Sequence, residues 1–229
     1  MDNEFLKYAY AALLHDIGKF YQRTEATSHL TEEEKAYMPY AKNGNYQTHV
    51  HNGYTYKFFE KYLKSRSDVE RASSSHHIYN GNRIDEVIQK ADRIASSVDR
   101  NDEIHDDFEE HKKTKYSHIT ARLNSIMCDI YFGKQRQKAI FPLSTIDKIS
   151  HPMLNFKPAS VEESTKEYKA LFQQFTNEVE YDGELLGDLV TPYKFNRMYA
   201  LLYKYTTLIP SSTFETTTPT VSLFDHLKL

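Results

Sequence analysis

The run Leu13-Leu14-His15-Asp16-Ile17-Gly18-Lys19 sets the strictest condition on this chain. It puts an imidazole and a carboxylate inside an apolar stretch, and burying either is costly unless it is paired or metal-bound. Any fold that forms must therefore bring polar partners to this point. The surroundings read as a helix over residues 3–21, with Asn3 or Asp2 as cap and Phe5, Leu6, Ala9, Ala12, Leu13 and Ile17 at near-helical spacing. Neighbouring helical residues point about 100° apart, so His15 and Asp16 can both reach one metal cluster at a helix flank. Lys19 shares a face with His15, where it can meet a phosphate as a point charge or complement the helix dipole. Gly18 allows either a close backbone approach or a helix stop.

Three further regions of the first hundred residues offer ligands. His49 and His51 open a helical pattern over residues 48–63. Two positions apart on a helix, they diverge by about 200°, so one of the two is the candidate for a shared site. His76-His77 closes a short helix over residues 67–77 in a serine-led loop, before an Asn80-Gly81-Asn82 turn. Asp92 lies on the apolar side of an amphipathic helix over residues 83–99, beside Ala91 and Ala95, and reads as a ligand aimed inward. Imidazole and carboxylate without thiolate suit Mn, Ni and Co foremost, and also Zn or Fe, as one or two ions. Such a site binds phosphate oxygens and lowers the pKa of a bridging water, which implies phosphoester hydrolysis.

Composition narrows the setting. The single cysteine, Cys128, excludes an internal disulfide and cysteine-rich zinc motifs. No apolar run reaches membrane-span length and the first residues are not a signal peptide, so a cytoplasmic chain without a membrane partner is expected. A net charge of −3 gives no global basic field, so nucleic-acid contact needs a local patch or a partner subunit. The 18 tyrosines and 13 phenylalanines suit a core with polar tips at the surface, and can also stack on bases. Residues 24–45 read as a loop around a short helix. The stretch from Asp99 to Lys115 is a solvated, charged segment. Residues 117–150 hold short apolar runs that suit one or two strands. Residues 161–180 and 193–207 are helical, and Pro210 to Thr220 is extended. The class is mainly α with a small β element.

The motifs taken together resemble a known family. Ala12-Leu13-Leu14-His15-Asp16-Ile17-Gly18-Lys19-Phe20, His49 with Gly53, His76-His77, and the run from Ala91-Asp92-Arg93 to Asp99-Arg100 are similar to the N-terminal HD domain of the large subunit of type III CRISPR–Cas effector complexes, particularly subtype III-A. Ordinary HD proteins carry a further histidine ahead of the His-Asp pair. None precedes His15 here, which is similar to the circularly permuted HD domain of that subunit. Ile209 to Thr213, followed by Val221-Ser222-Leu223-Phe224-Asp225-His226, resembles the segment joining that domain to the first palm domain, while residues 101–205 match only loosely.

The resemblance implies a permuted HD helical bundle over 1–100, a charged insertion with short strands over 101–160, and helices with a linker toward a palm domain over 161–229. It implies a metal-dependent nuclease, cutting single-stranded DNA internally or from an end, within an antiviral ribonucleoprotein. The partners would be the other subunits, crRNA and the target RNA whose binding activates the cut. His15, Asp16 and Asp92 match the metal-binding motif. His49 matches by its spacing to Gly53, which favours it over His51. His76 and His77 match the paired histidines, and Lys19 is a catalytic candidate at the phosphate. The family's palm domains make cyclic oligoadenylates with a Gly-Gly-Asp-Asp signature, which this sequence lacks, so that activity is not expected of this chain. The alternatives are an HD phosphohydrolase acting on small nucleotides and a catalytically silent docking domain.

Overall fold

The helix expected over residues 3–21 breaks where its polar pair sits. In the computed structural model, α1 spans Asn3–Leu14 and α2 spans Ile17–Gln22. Asp16 between them has φ −109° and ψ 12°, and His15 N–H reaches back only to Ala12 O. An unbroken helix would splay the two side chains apart. The turn instead brings His15 Nε2 to 3.3 Å from Asp16 Oδ2.

The structure describes residues 3–78, 81–99, 117–125, 139–148, 153–154, 159–211 and 221–228. Among these, the fold is mainly helical. After α2 come the short α3 (Glu32–Lys35), then α4 (Val50–Phe58) running into a π-helical turn at Phe59–Leu63, α5 (Asp68–Ser74) and α6 (Arg83–Asp99). Next are α7 (Ser117–Thr120), α8 (Val161–Tyr181), α9 (Pro192–Thr206) and α10 (Leu223–Lys228). The small β element is one antiparallel pair, β1 (Ala139–Ile140) with β2 (Met153–Leu154). The charged stretch 100–115, the apolar runs at 126–127 and 130–133, Asn80 and most of the 210–220 tail lie outside the described residues.

Sequence chemistry accounts for the helix starts. Thr31, Ser67, Ser160 and Thr191 each cap a following helix through the side-chain oxygen, and Thr31 and Ser160 form full capping boxes with Glu34 and Glu163. The tyrosine and phenylalanine surplus fills the core. Phe20, Tyr21, Phe58, Tyr62, Phe172 and Phe175 form one ring cluster joining α2, α4, its π turn and α8. Residues before 100 and after 160 thus share one hydrophobic core. Tyrosine tips near the rim donate to carboxylates, as Tyr54 does to Glu25 and Tyr205 to Glu178, both at 2.6 Å.

Three ties aim the ligand-bearing helices at the α1–α2 turn. Ser73 Oγ donates to Ala11 O at 3.0 Å and fixes α5 on α1. Arg71 grips the buried Asp85 carboxylate at 2.8 and 3.1 Å and orients α6 on α5. The buried Arg23 donates from Nε to His118 O at 2.8 Å and from Nη2 to Pro210 O at 2.7 Å, anchoring the approach to α10. There Ser211 N–H and Leu223 N–H bond across to Val221 O and Ile209 O.

Candidate metal centre

Asp16 precedes α2, where an aspartate usually caps the helix with its own carboxylate. It makes no such bond. The duty passes to Thr55 of α4, whose Oγ1 accepts from Gly18 N–H at 3.1 Å and donates to His15 O at 3.1 Å. This leaves the Asp16 carboxylate aimed into the molecule. α2 and α4 approach closely because residue 18 is glycine: a Cβ there would lie 1.9 Å from His51 O and 2.6 Å from Thr55 N. Of the two roles open to Gly18, close approach is the one observed.

The two Asp16 oxygens face different histidines. Oδ1 is 3.1 Å from His51 Nε2 and 3.7 Å from His76 Nε2. Oδ2 is 2.9 Å from His226 Nε2, 3.3 Å from His15 Nε2 and 2.6 Å from Lys19 Nζ. Asp92 Oδ1 lies 3.6 Å from both His15 Nε2 and His226 Nε2. Two groups with metal-ligating geometry result: His15, Asp16, Asp92 and His226 in one, His51, His76 and His77 in the other, each with ligand atoms within 4.8 Å of one another.

These donors suit a transition-metal ion. His15 Nδ1 meets Ala12 O and His76 Nδ1 meets Ser73 O, both at 2.7 Å. A ring that donates from Nδ1–H to a backbone carbonyl holds its Nε2 lone pair free for a metal. The Nε2 atoms of His15, His51 and His76 are buried without a hydrogen bond of good geometry, a costly arrangement that a bound ion would relieve. Two ligands about 2.0–2.2 Å from one ion stand about 2.8–3.6 Å apart, the range in which most of these contacts fall. The buried cluster can therefore hold a metal ion.

Electrostatics match that role. Burial, then the neighbouring His77 and His15, holds His76 well below the ordinary histidine pKa. Burial does the same for His51 against the pull of Asp16. Burial and the facing His49 bring His77 down to about 4. These three rings are neutral at neutral pH and available to ligate. Burial opposes charge on Asp16, but Lys19, His15 and His51 outweigh it and keep the carboxyl well below its usual range. Asp92 is likewise lowered against burial, by the neighbouring His15 and His226 rings. His15 is raised: burial works against its charge, and Asp16 and Asp92 overcome it.

Of the residues expected at the site, His15, Asp16, Lys19, His76, His77 and Asp92 are brought together. His49 is placed differently. It adopts a left-handed conformation (φ 52°) ahead of α4 and is exposed, its ring 3.9 Å from that of His77. His51, one helical step further in, is the ring beside Asp16. Gly53, whose spacing favoured His49, instead faces Leu30 and Glu34. The expected divergence of His49 and His51 is not seen: with His49 left-handed ahead of the helix, the two rings stand 5.8 Å apart and both neighbour His77. His226 was not expected at all. It reaches Asp16 from α10, inside the segment that resembles a domain junction. Its sequence signal was the one that marked His15: a histidine within an apolar run, here Leu223-Phe224 to Leu227.

The sequence matches no protein-family model and no curated protein. Among the described residues, no helix is long and apolar enough to cross a membrane.

Proposed function

We propose that this chain is a metal-dependent phosphodiesterase of the permuted HD type that cuts single-stranded DNA within a type III CRISPR-like ribonucleoprotein. The observation that carries the hydrolytic reading is the placement of Asp16 between two imidazole groups, with one oxygen toward His51 and His76 and the other toward His15 and His226. Asp16 and the imidazole groups on its two sides would suit two ions. His51, His76 and His77 would hold one, and His15, Asp92 and His226 the other. Mn, Ni or Co fit this thiolate-free donor set. Divalent ions held there would supply an acidified water and neutralise charge on a phosphate.

The chain's own groups supply the rest. Lys19 keeps part of its side chain in solvent with its ammonium at Asp16, so an incoming phosphate oxygen meets a cation. The cluster's own burial, with Asp16 and His226 almost fully enclosed, strengthens the charge interactions within it. Single-stranded DNA as substrate, and target RNA, crRNA and sister subunits as partners, rest on the sequence resemblance.

Purified protein with Mn should degrade single-stranded DNA, and Asp16→Ala should abolish cleavage. A variant that cuts as fast as the parent would place the activity elsewhere. Faster release of phosphate from nucleoside triphosphates than cleavage of DNA would favour the small-nucleotide reading instead.

A further inference from the structure

A cavity of about 540 Å³ adjoins the metal cluster and shares His77 with it. Its other walls include Glu32 and Lys35 of α3, Met38 just beyond it, Tyr40 and Gln47 on the next loop, and Ile78. Its volume lies in the range of small-ligand sites. The wall mixes an aromatic ring, thioether and aliphatic surface, an amide and the Glu32–Lys35 ion pair, which suits a flat polar heterocycle.

The loop presenting Tyr40 is held rather than loose. Tyr40 and Gln47 pair as an antiparallel bridge, Ala41 N–H donates to Tyr46 O at 2.8 Å, and Thr48 N–H donates to Pro39 O at 2.8 Å. Gln47 Nε2 donates to Lys35 O at 2.8 Å and ties the loop to α3. Yet Tyr40 leaves its ring 68% exposed. A large ring on a braced loop, at a cavity that His77 also lines, is placed to stack on something planar.

Resting on the phosphodiesterase reading, we propose that this cavity is a nucleobase subsite. It seats the base next to the scissile phosphate, with Tyr40 as stacking surface and His77 marking the passage to the metals. The base would belong to a DNA strand or to a free nucleotide.

The test measures binding apart from cleavage. Fluorescence anisotropy of full-length protein in EDTA, with labelled dT8 and with an abasic octamer, isolates the base contribution. Tyr40→Ala should weaken dT8 binding about five- to fiftyfold and leave abasic binding unchanged, while Tyr40→Phe behaves as the parent. Equal binding of both strands by Tyr40→Ala and parent overturns the subsite. Competition by dTMP at concentrations comparable to dT8 assigns the cavity to free nucleotides, and competition by dT8 alone to a strand. Absence of any Mn-dependent cleavage would sink the phosphodiesterase reading while the binding comparison still decides the subsite.

Discussion

Asp16 Oδ2 lies 2.9 Å from His226 Nε2, which joins the first turn of the fold to its last described helix. The contact makes α10 part of the candidate metal centre rather than a tail beyond it. His226→Ala should lower Mn affinity at least about tenfold by isothermal titration, whereas His49→Ala should leave it within about twofold. Equal losses from the two variants would mean that His49 ligates in solution.

Gly18→Ala should be among the most damaging single-atom changes in the chain. The new methyl would meet His51 O and Thr55 N, both backbone atoms that cannot swing aside. A loss of about 2–3 kcal/mol in urea unfolding is expected, together with weaker Mn binding as α4 and His51 are pushed outward. An unchanged urea midpoint would show that α2 and α4 are further apart than described.

Arg23→Met should loosen α10. Two carbonyls, His118 O and Pro210 O, lose their donor, at a cost of about 2–4 kcal/mol. Because the second carbonyl precedes α10, Mn affinity should fall as well, although Arg23 is no ligand. Retained Mn affinity in a destabilised protein would confine Arg23 to a packing role.

Glu70 gives a pH signature away from the metal site. Burial pushes its pKa up to about 7 from an ordinary 4.5, against the pull of Ser74, Arg66 and Arg71. The folded state therefore holds this proton more tightly than the unfolded chain. Its contribution is fully present below about pH 4.5 and is lost as pH rises through 7. Glu70→Gln should gain about 1–2 kcal/mol relative to the parent between pH 5 and pH 8 in denaturant melts. A constant difference across that range would contradict the shift.

Much of the site was legible because its members sit in the wrong surroundings for ordinary polar residues. His15, Asp16 and Asp92 each interrupt an apolar face, and such residues demand partners whatever the fold. What sequence could not supply was the helix break at His15-Asp16, because 3.6-residue periodicity runs straight through it. The choice between His49 and His51 was equally hidden: it depends on a left-handed residue just ahead of α4. His226 had the same apolar setting as His15 but lay far down the chain.

The Arg23 tie to Pro210 spans 187 positions, and the partnership of Asp16 with His226 spans still more. During synthesis the early ligands emerge and pack while α10 is still untranslated. Such distant closure is slow and comes late in folding. A ribosome-bound chain thus carries the first turn of the candidate site without its last histidine. The finished cluster is a record that translation ran through residue 226, and fragments stopped short of it should bind Mn more weakly.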